Sequence, residues 1–251
     1  MTAALSLAGV SASLHGVQVL SEVNLEAAAG EVVGLVGPNG AGKTSLLRVA
    51  LGLLDATGGP VRLGGADVRG LGERRRAELA AYLPQSRRAG WNLAAWRLAA
   101  LGAPFVAPAE AKARALAALG ETGIAALAER GVMDMSGGEA ARAHLARLLV
   151  ARTPLILADE PAAGLDPDAA LRVMEILRGR ASQGAAVVVT LHDLTLAIRT
   201  CDRIVVLAQG RVLADGPPHE ALGGRVLGEA FGLSGGVAET PWGRVLAARR
   251  L

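Results

Sequence analysis

Gly37-Pro38-Asn39-Gly40-Ala41-Gly42-Lys43-Thr44, followed by Ser45, fills every fixed position of the pattern G-x-x-x-x-G-K-[ST]. Glycines at those places let successive backbone N–H groups point into one concavity without Cβ interference. The start of a following helix adds a field that favours phosphate anions. The lysine supplies a point charge for β- and γ-phosphates, and the threonine supplies a hydroxyl for Mg2+. Lysine is otherwise avoided: of 26 basic residues only Lys43 and Lys112 are lysines. A plain glycine-rich turn would give no reason for the lysine that this one keeps.

Outward from the loop the pattern becomes a fold. Glu31-Val32-Val33-Gly34-Leu35-Val36 is a short apolar run of the kind found in a strand buried on both faces. Residues 44–54 carry Leu46, Leu47, Ala50 and Leu51 at helical spacing, so the unit is strand, glycine loop, helix. Buried-strand runs recur at 155–158 and 186–190, with a helix expected near 167–181 between them. Residues 5–12 and 18–26 read as strands joined around His15-Gly16, 57–72 as a small antiparallel hairpin, and 78–84 as a further strand. Residues 90–150 are rich in Ala and Leu with a helical period, and short strands are expected at 203–207, 211–214 and 242–247. The expectation is one α/β domain over 1–251 with a mainly parallel core sheet. It carries an N-terminal antiparallel β subdomain, a helical subdomain inserted at 86–150 and a C-terminal extension at 203–251.

The 251 residues suffice for a sizeable core, and 51% hydrophobic content excludes a disordered chain. Cys201, the one cysteine, can form neither an internal disulfide nor a Cys-based zinc site, so nothing suggests an oxidising compartment. A formal charge of +3 is small over this length, and three Trp, two Phe and one Tyr are few for stacking on single strands; no nucleic acid partner is expected. The uncharged opening up to Ser21 lacks a basic n-region and is interrupted by Ser11, Ser13, His15 and Gln18, which argues against a signal peptide. No run of about 18 apolar residues occurs, so no membrane span is expected.

Two further stretches bear on chemistry. Leu155-Ile156-Leu157-Ala158-Asp159-Glu160 is an apolar strand ending in two carboxylates. Placed beside the phosphate-loop strand, Asp159 is suited to order a Mg2+-bound water and Glu160 to polarise an attacking one. The plainer reading is a pair of helix-capping carboxylates before Pro161. Ser136-Gly137-Gly138-Glu139 reads as a capping box opening a helix over 140–151, and that helix leads directly into the acidic strand.

In these motifs and their order the sequence resembles the ATP-binding-cassette (ABC) ATPases, a P-loop NTPase family, over nearly the whole chain. Met135-Ser136-Gly137-Gly138-Glu139 is similar to the family's L-S-G-G-Q signature, with Met for Leu and Glu for Gln, and Arg142 falls where the signature continues with Arg. Tyr82-Leu83-Pro84-Gln85 matches the glutamine loop, Gly164-Leu165-Asp166 the D-loop, and His192 in Val189-Thr190-Leu191-His192-Asp193 the switch histidine. The resemblance implies two copies facing head to tail, with two ATP molecules between the phosphate loop of one and Ser136-Gly137-Gly138 of the other. It implies Glu160 as general base, His192 holding γ-phosphate and water in line, Gln85 touching Mg2+, and Asp166 organising the interface. Thr44, Gln85 and Asp159 would hold the Mg2+.

The text from Leu191 to Ala197, from Arg203 to Leu207, and at Gly210-Arg211-Val212 and Asp215-Gly216-Pro217 resembles the ATPases of iron-siderophore, haem and cobalamin importers. Ala103 departs from that pattern, which has Arg after Gly102. The implied setting is the cytoplasmic face of the membrane, through permease subunits and indirectly a substrate-binding protein. A soluble ABC ATPase acting on DNA or ribosomes, or a small-molecule P-loop kinase, are the other readings. Trp91, Trp96 and Phe105 read either as packing of the helical insertion or as anchors of a groove for a permease helix. Arg87 and Arg88 read as a solvated basic rim, Glu73-Arg74-Arg75-Arg76 as an exposed helix start, and Ser234-Gly235-Gly236 as a turn. Leu14, followed by His15, stands where the family commonly stacks an aromatic on adenine, so weak discrimination of ATP from GTP is expected.

Overall fold

The computed structural model describes residues 3–87 and 89–251; the expectation for Arg88 lies outside them. Strands β1 (Leu5–Leu14) and β2 (Val17–Ala27) pair antiparallel around His15 and Gly16, whose φ values of 51° and 79° suit a two-residue turn of the primed kind. Strand β3 (Val32–Val36) is buried throughout and leads through the glycine loop into helix α1 (Lys43–Ala50). Short strands β4 (Ala56–Gly58), β5 (Val61–Leu63) and β6 (Ala66–Asp67) complete the N-terminal sheet, with β4 and β5 both pairing with β1. Helix α2 (Glu73–Leu79) runs up to strand β7 (Ala80–Leu83), so the strand expected from residue 78 begins at 80.

The insertion is helical: α3 (Ala95–Ala100), α4 (Pro108–Glu121) and α5 (Gly137–Val150) pack on one another. Then come β8 (Leu155–Asp159), α6 (Pro167–Ser182), β9 (Ala186–Thr190), α7 (Leu194–Thr200), β10 (Arg203–Ala208) and β11 (Arg211–Gly216). The C-terminal part holds two helices that the sequence reading missed, α8 (Pro218–Ala221) and α9 (Gly224–Phe231), before the hairpin of β12 (Leu233–Thr240) and β13 (Gly243–Arg250). Ser234-Gly235-Gly236 therefore lies inside a strand, not in a turn. A Cβ on Gly235 would stand 2.1 Å from the Ala247 carbonyl oxygen, so the glycine permits a close strand approach rather than a reversal.

The main sheet has the order β11-β10-β3-β9-β8-β7, parallel except for β11 at one edge. The acidic strand β8 is thus not beside the phosphate-loop strand β3, because β9 lies between them. Alternate residues of the parallel strands divide between two cores. Val32, Val36, Ile156, Val187, Val189, Ile204 and Val206 face the helical layer. Val33, Leu35, Leu155, Leu157, Val188, Val205 and Leu207 face α1 and the N-terminal sheet. Two-sided burial, at about 1.5–3 kcal/mol for each large aliphatic side chain, explains why these strands read as continuous apolar runs. It also fixes where function can sit: the free polar groups gather at the carboxyl ends of β3, β8 and β9. Among the described residues no helix is long and apolar enough to cross a membrane.

Candidate active site

The phosphate loop leaves β3 at Gly37, where a Cβ would stand 2.0 Å from the Leu207 carbonyl oxygen on β10. The loop enters α1 at Gly42, a helix cap in the left-handed conformation (φ 103°), and among the described residues no side-chain cap covers the first-turn N–H groups. Those donors are free for an anion. Lys43 is buried, and its Nζ donates to the Gly37 carbonyl at 2.7 Å and the Pro38 carbonyl at 3.1 Å. Burial lowers its pKa, while the carboxylates of Glu160 and Asp159 pull the other way. A cavity of about 300 Å³ is lined by Val19, Asn39 to Ser45, Gln85 and Glu160. The phosphate loop, the glutamine and the second acid are therefore brought to one space.

The two acids follow β8. Asp159 is fully buried; its Oδ1 accepts a hydrogen bond from Thr190 Oγ1 at 2.7 Å, and its Oδ2 has no partner among the described residues. An orphaned, buried carboxylate oxygen among these groups fits a cation or its hydration water. Among the described residues no three His, Cys, Asp or Glu side chains cluster as a metal cage. Glu160 takes a left-handed conformation, φ 49°, and begins a turn rather than a helix, so the capping reading of the acids does not apply. Its N–H donates to Thr190 Oγ1 at 2.8 Å, its carbonyl accepts from the Arg87 guanidinium, and its Oε1 meets His192 Nε2 at 2.5 Å. With Glu160 as a carboxylate, His192 Nε2 is the donor in the last contact.

The remaining sequence candidates stand apart from the phosphate-loop cavity. Ser136 caps α5: its Oγ accepts from Glu139 N–H at 3.3 Å, and Glu139 Oε2 accepts from Ser136 N–H at 2.8 Å. That backbone contact holds the Glu139 carboxyl below its usual pKa. Ser136 and Gly137 are exposed, and none of the four signature residues lines the cavity. Asp166 caps α6 through Ala169 N–H at 2.9 Å. Leu14 and His15 do not line the cavity either; its apolar wall is Val19. Trp96 is half-buried, with Nε1 on Glu129 at 3.0 Å and Lys112 Nζ 4.6 Å from its ring centroid. Trp91 and Phe105 are 69% and 47% exposed, so packing accounts for only one of the three aromatics.

Two residues of the site were not assigned from sequence. Arg87 is not a solvated rim: it is partly buried and reaches the Glu160 carbonyl. Thr190, wholly buried, joins both acids. A hydroxyl ending an otherwise aliphatic run, Val187-Val188-Val189-Thr190, was the signal available for it.

Known proteins are similar to this chain in sequence and in fold. A family model described as ABC transporter matches residues 20–163. The hemin import ATP-binding protein HmuV of Rhodococcus jostii is 42% identical over 93% of this chain and 81% of its own length. The cobalamin import ATP-binding protein BtuD of Halobacterium salinarum is 37% identical over 90% of this chain and 58% of its own. A solved dimeric ATP-binding cassette in a post-hydrolysis state with ADP and Pi is 27% identical, with a TM-score of 0.77 over 85% of this chain and 98% of that one.

Proposed function

The chain belongs to the ABC transporter ATPase family, and from that premise we propose that it is the ATP-hydrolysing subunit of an importer for haem, cobalamin or iron-siderophore cargo. It works as a head-to-tail homodimer at the cytoplasmic face of the membrane, attached through permease subunits that a substrate-binding protein supplies. The observation that carries the reading is the single cavity shared by Lys43, Thr44, Ser45, Gln85 and Glu160.

ATP enters with its phosphates against the free N–H groups of the loop and of the first turn of α1. Lys43 exchanges its two carbonyl partners for phosphate oxygens, a short displacement of a charge already held in place. Glu160 accepts the proton of the attacking water, and His192, bonded to its carboxylate, keeps base and γ-phosphate in line. Thr44, Gln85 and Asp159 are the residues to hold Mg2+, which when bound neutralises phosphate charge. Each copy's Ser136, Gly137 and Gly138 complete the other copy's site, and Asp166 lies at the interface between them. The exposed Trp91 and Phe105 on the helical insertion receive a permease helix.

Glu160→Gln tests the base. The variant is expected to bind ATP, to lose about 10²- to 10⁴-fold in turnover and to accumulate as an ATP-bound dimer in gel filtration. Normal hydrolysis would remove Glu160 from the role. The cargo is read separately, from uptake of haem, cobalamin and iron chelates by a strain lacking the gene.

A further inference from the structure

The backbone of Glu160 is held as firmly as its side chain. An L residue at φ 49° is strained, so neighbouring groups must keep it there. The N–H of Glu160 donates to Thr190 Oγ1, and the Thr190 hydroxyl spends its own proton on Asp159 Oδ1. That hydroxyl has one proton to give, so its direction is fixed and a lone pair faces the Glu160 N–H. On the other side the Glu160 carbonyl accepts from the Arg87 guanidinium and from Ala163 N–H at 3.2 Å. Arg87 follows Gln85 by two residues, and its backbone meets His144 of α5.

We propose that Thr190 and Arg87 are positioning residues for hydrolysis, which clamp the two peptide units of Glu160 in the left-handed turn that sets its carboxylate between His192 and the phosphate loop. The proposal rests on Glu160 being the base. Each arm comes from a different element, Thr190 from the end of β9 and Arg87 from the segment that opens the helical insertion. A shift of that segment therefore pulls on the carbonyl of the base and, through Gln85, on the wall of the phosphate-loop cavity together.

The test is steady-state ATPase activity at saturating Mg2+, with ATP affinity and melting temperature measured on the same full-length preparations. Thr190→Val removes the hydroxyl at nearly constant volume, Thr190→Ser keeps it, and Arg87→Met removes the guanidinium while keeping the aliphatic stem. Thr190→Val and Arg87→Met are expected to lower kcat by about 10- to 100-fold with little change in KM or ATP affinity, and Thr190→Ser to recover most of the rate. The double variant is expected to fall no further than the worse single one, because the two arms hold one group. Wild-type kcat in Arg87→Met, a rise in KM alone, or loss of rate in Thr190→Ser would overturn the clamp. Should Thr190→Val not fold, Arg87→Met and Thr190→Ser still decide. Normal turnover in Glu160→Gln would sink the base itself, whereas an inactive Glu160→Gln beside fully active Thr190→Val and Arg87→Met would sink only the clamp.

Discussion

The phosphate loop and the acid turn face one cavity and are built by opposite means. The loop is shaped by missing side chains: glycines at 37, 40 and 42 open the backbone, and Lys43 is held by carbonyls five and six residues away. The acid turn is shaped by added side chains: Thr190, His192 and Arg87 reach it from 31, 32 and 73 residues away in the chain. An anion site needs only N–H groups that point together, which a short stretch of chain can provide by itself. A general base needs one carboxylate held laterally to within a fraction of an ångström, which requires partners from other elements. On the proposed reading, phosphate binding draws its donors from one short stretch packed against β10, whereas turnover draws on side chains from several elements.

The largest effect should come from breaking the local half. Gly37→Ala forces a Cβ to within 2.0 Å of the Leu207 carbonyl, and the loop must leave β10 to relieve it. Overpacking of that kind costs about 3 kcal/mol, equivalent to roughly 100-fold in ATP affinity. Gly40→Ala meets nothing within 4 Å and is strained only through its φ of 78°. Its loss should be about tenfold. Calorimetric titration with ATP measures both; equal losses would mean that backbone strain, not the contact with β10, shapes the loop.

An intermediate effect should expose the tertiary half. His144 is buried in α5 against Arg87, and its pKa is pushed down to about 4, first by burial and then by the Arg147 and Arg87 guanidiniums. A hydrogen bond with the Arg87 backbone opposes the shift. Because the folded pKa lies below the usual 6.5, the unfolded chain binds a proton between pH 6.5 and 4 that the folded chain does not. Stability is then fully present above pH 6.5 and falls by up to about 3 kcal/mol as the pH drops toward 4. His144→Gln should flatten that slope in urea unfolding between pH 7 and 4.5, whereas Gly37→Ala should keep it. An unchanged slope in His144→Gln would assign the acid sensitivity to other groups.

What could be read from the sequence divides along the same line. The phosphate loop, the Ser136 capping box and the twice-buried strands are local patterns, and each stands where its own residues put it. The order of the parallel strands is not written in any one of them, so β9 between β3 and β8 could not be seen. Arg87 was legible only as a charge, because its acceptor is a carbonyl 73 residues away. Thr190 looked like one more β-branched residue in a strand, since nothing near it in the chain names Asp159 as its partner. Glycine misled at the other end of the chain. Gly235 admits a close strand approach to Ala247, yet Ser234-Gly235-Gly236 reads as a turn.

The smallest effect concerns Ser136, where a locally legible cap and a proposed role toward phosphate share one hydroxyl. Ser136→Ala removes the hydrogen bond to Glu139 N–H and should lower stability by about 1 kcal/mol, roughly 2–4 °C in melting temperature for a chain of this size. Ser136→Asp keeps a carboxylate acceptor at the same cap position and should keep the stability. It also brings a negative charge to the surface proposed to meet the γ-phosphate in the dimer, where repulsion should weaken ATP-dependent dimerisation. Melting curves together with gel filtration of each change in a Glu160→Gln background separate the two roles. If Ser136→Asp dimerises with ATP as well as the parent does, the hydroxyl is only a helix cap and the phosphate contact must come from the glycine N–H groups beside it.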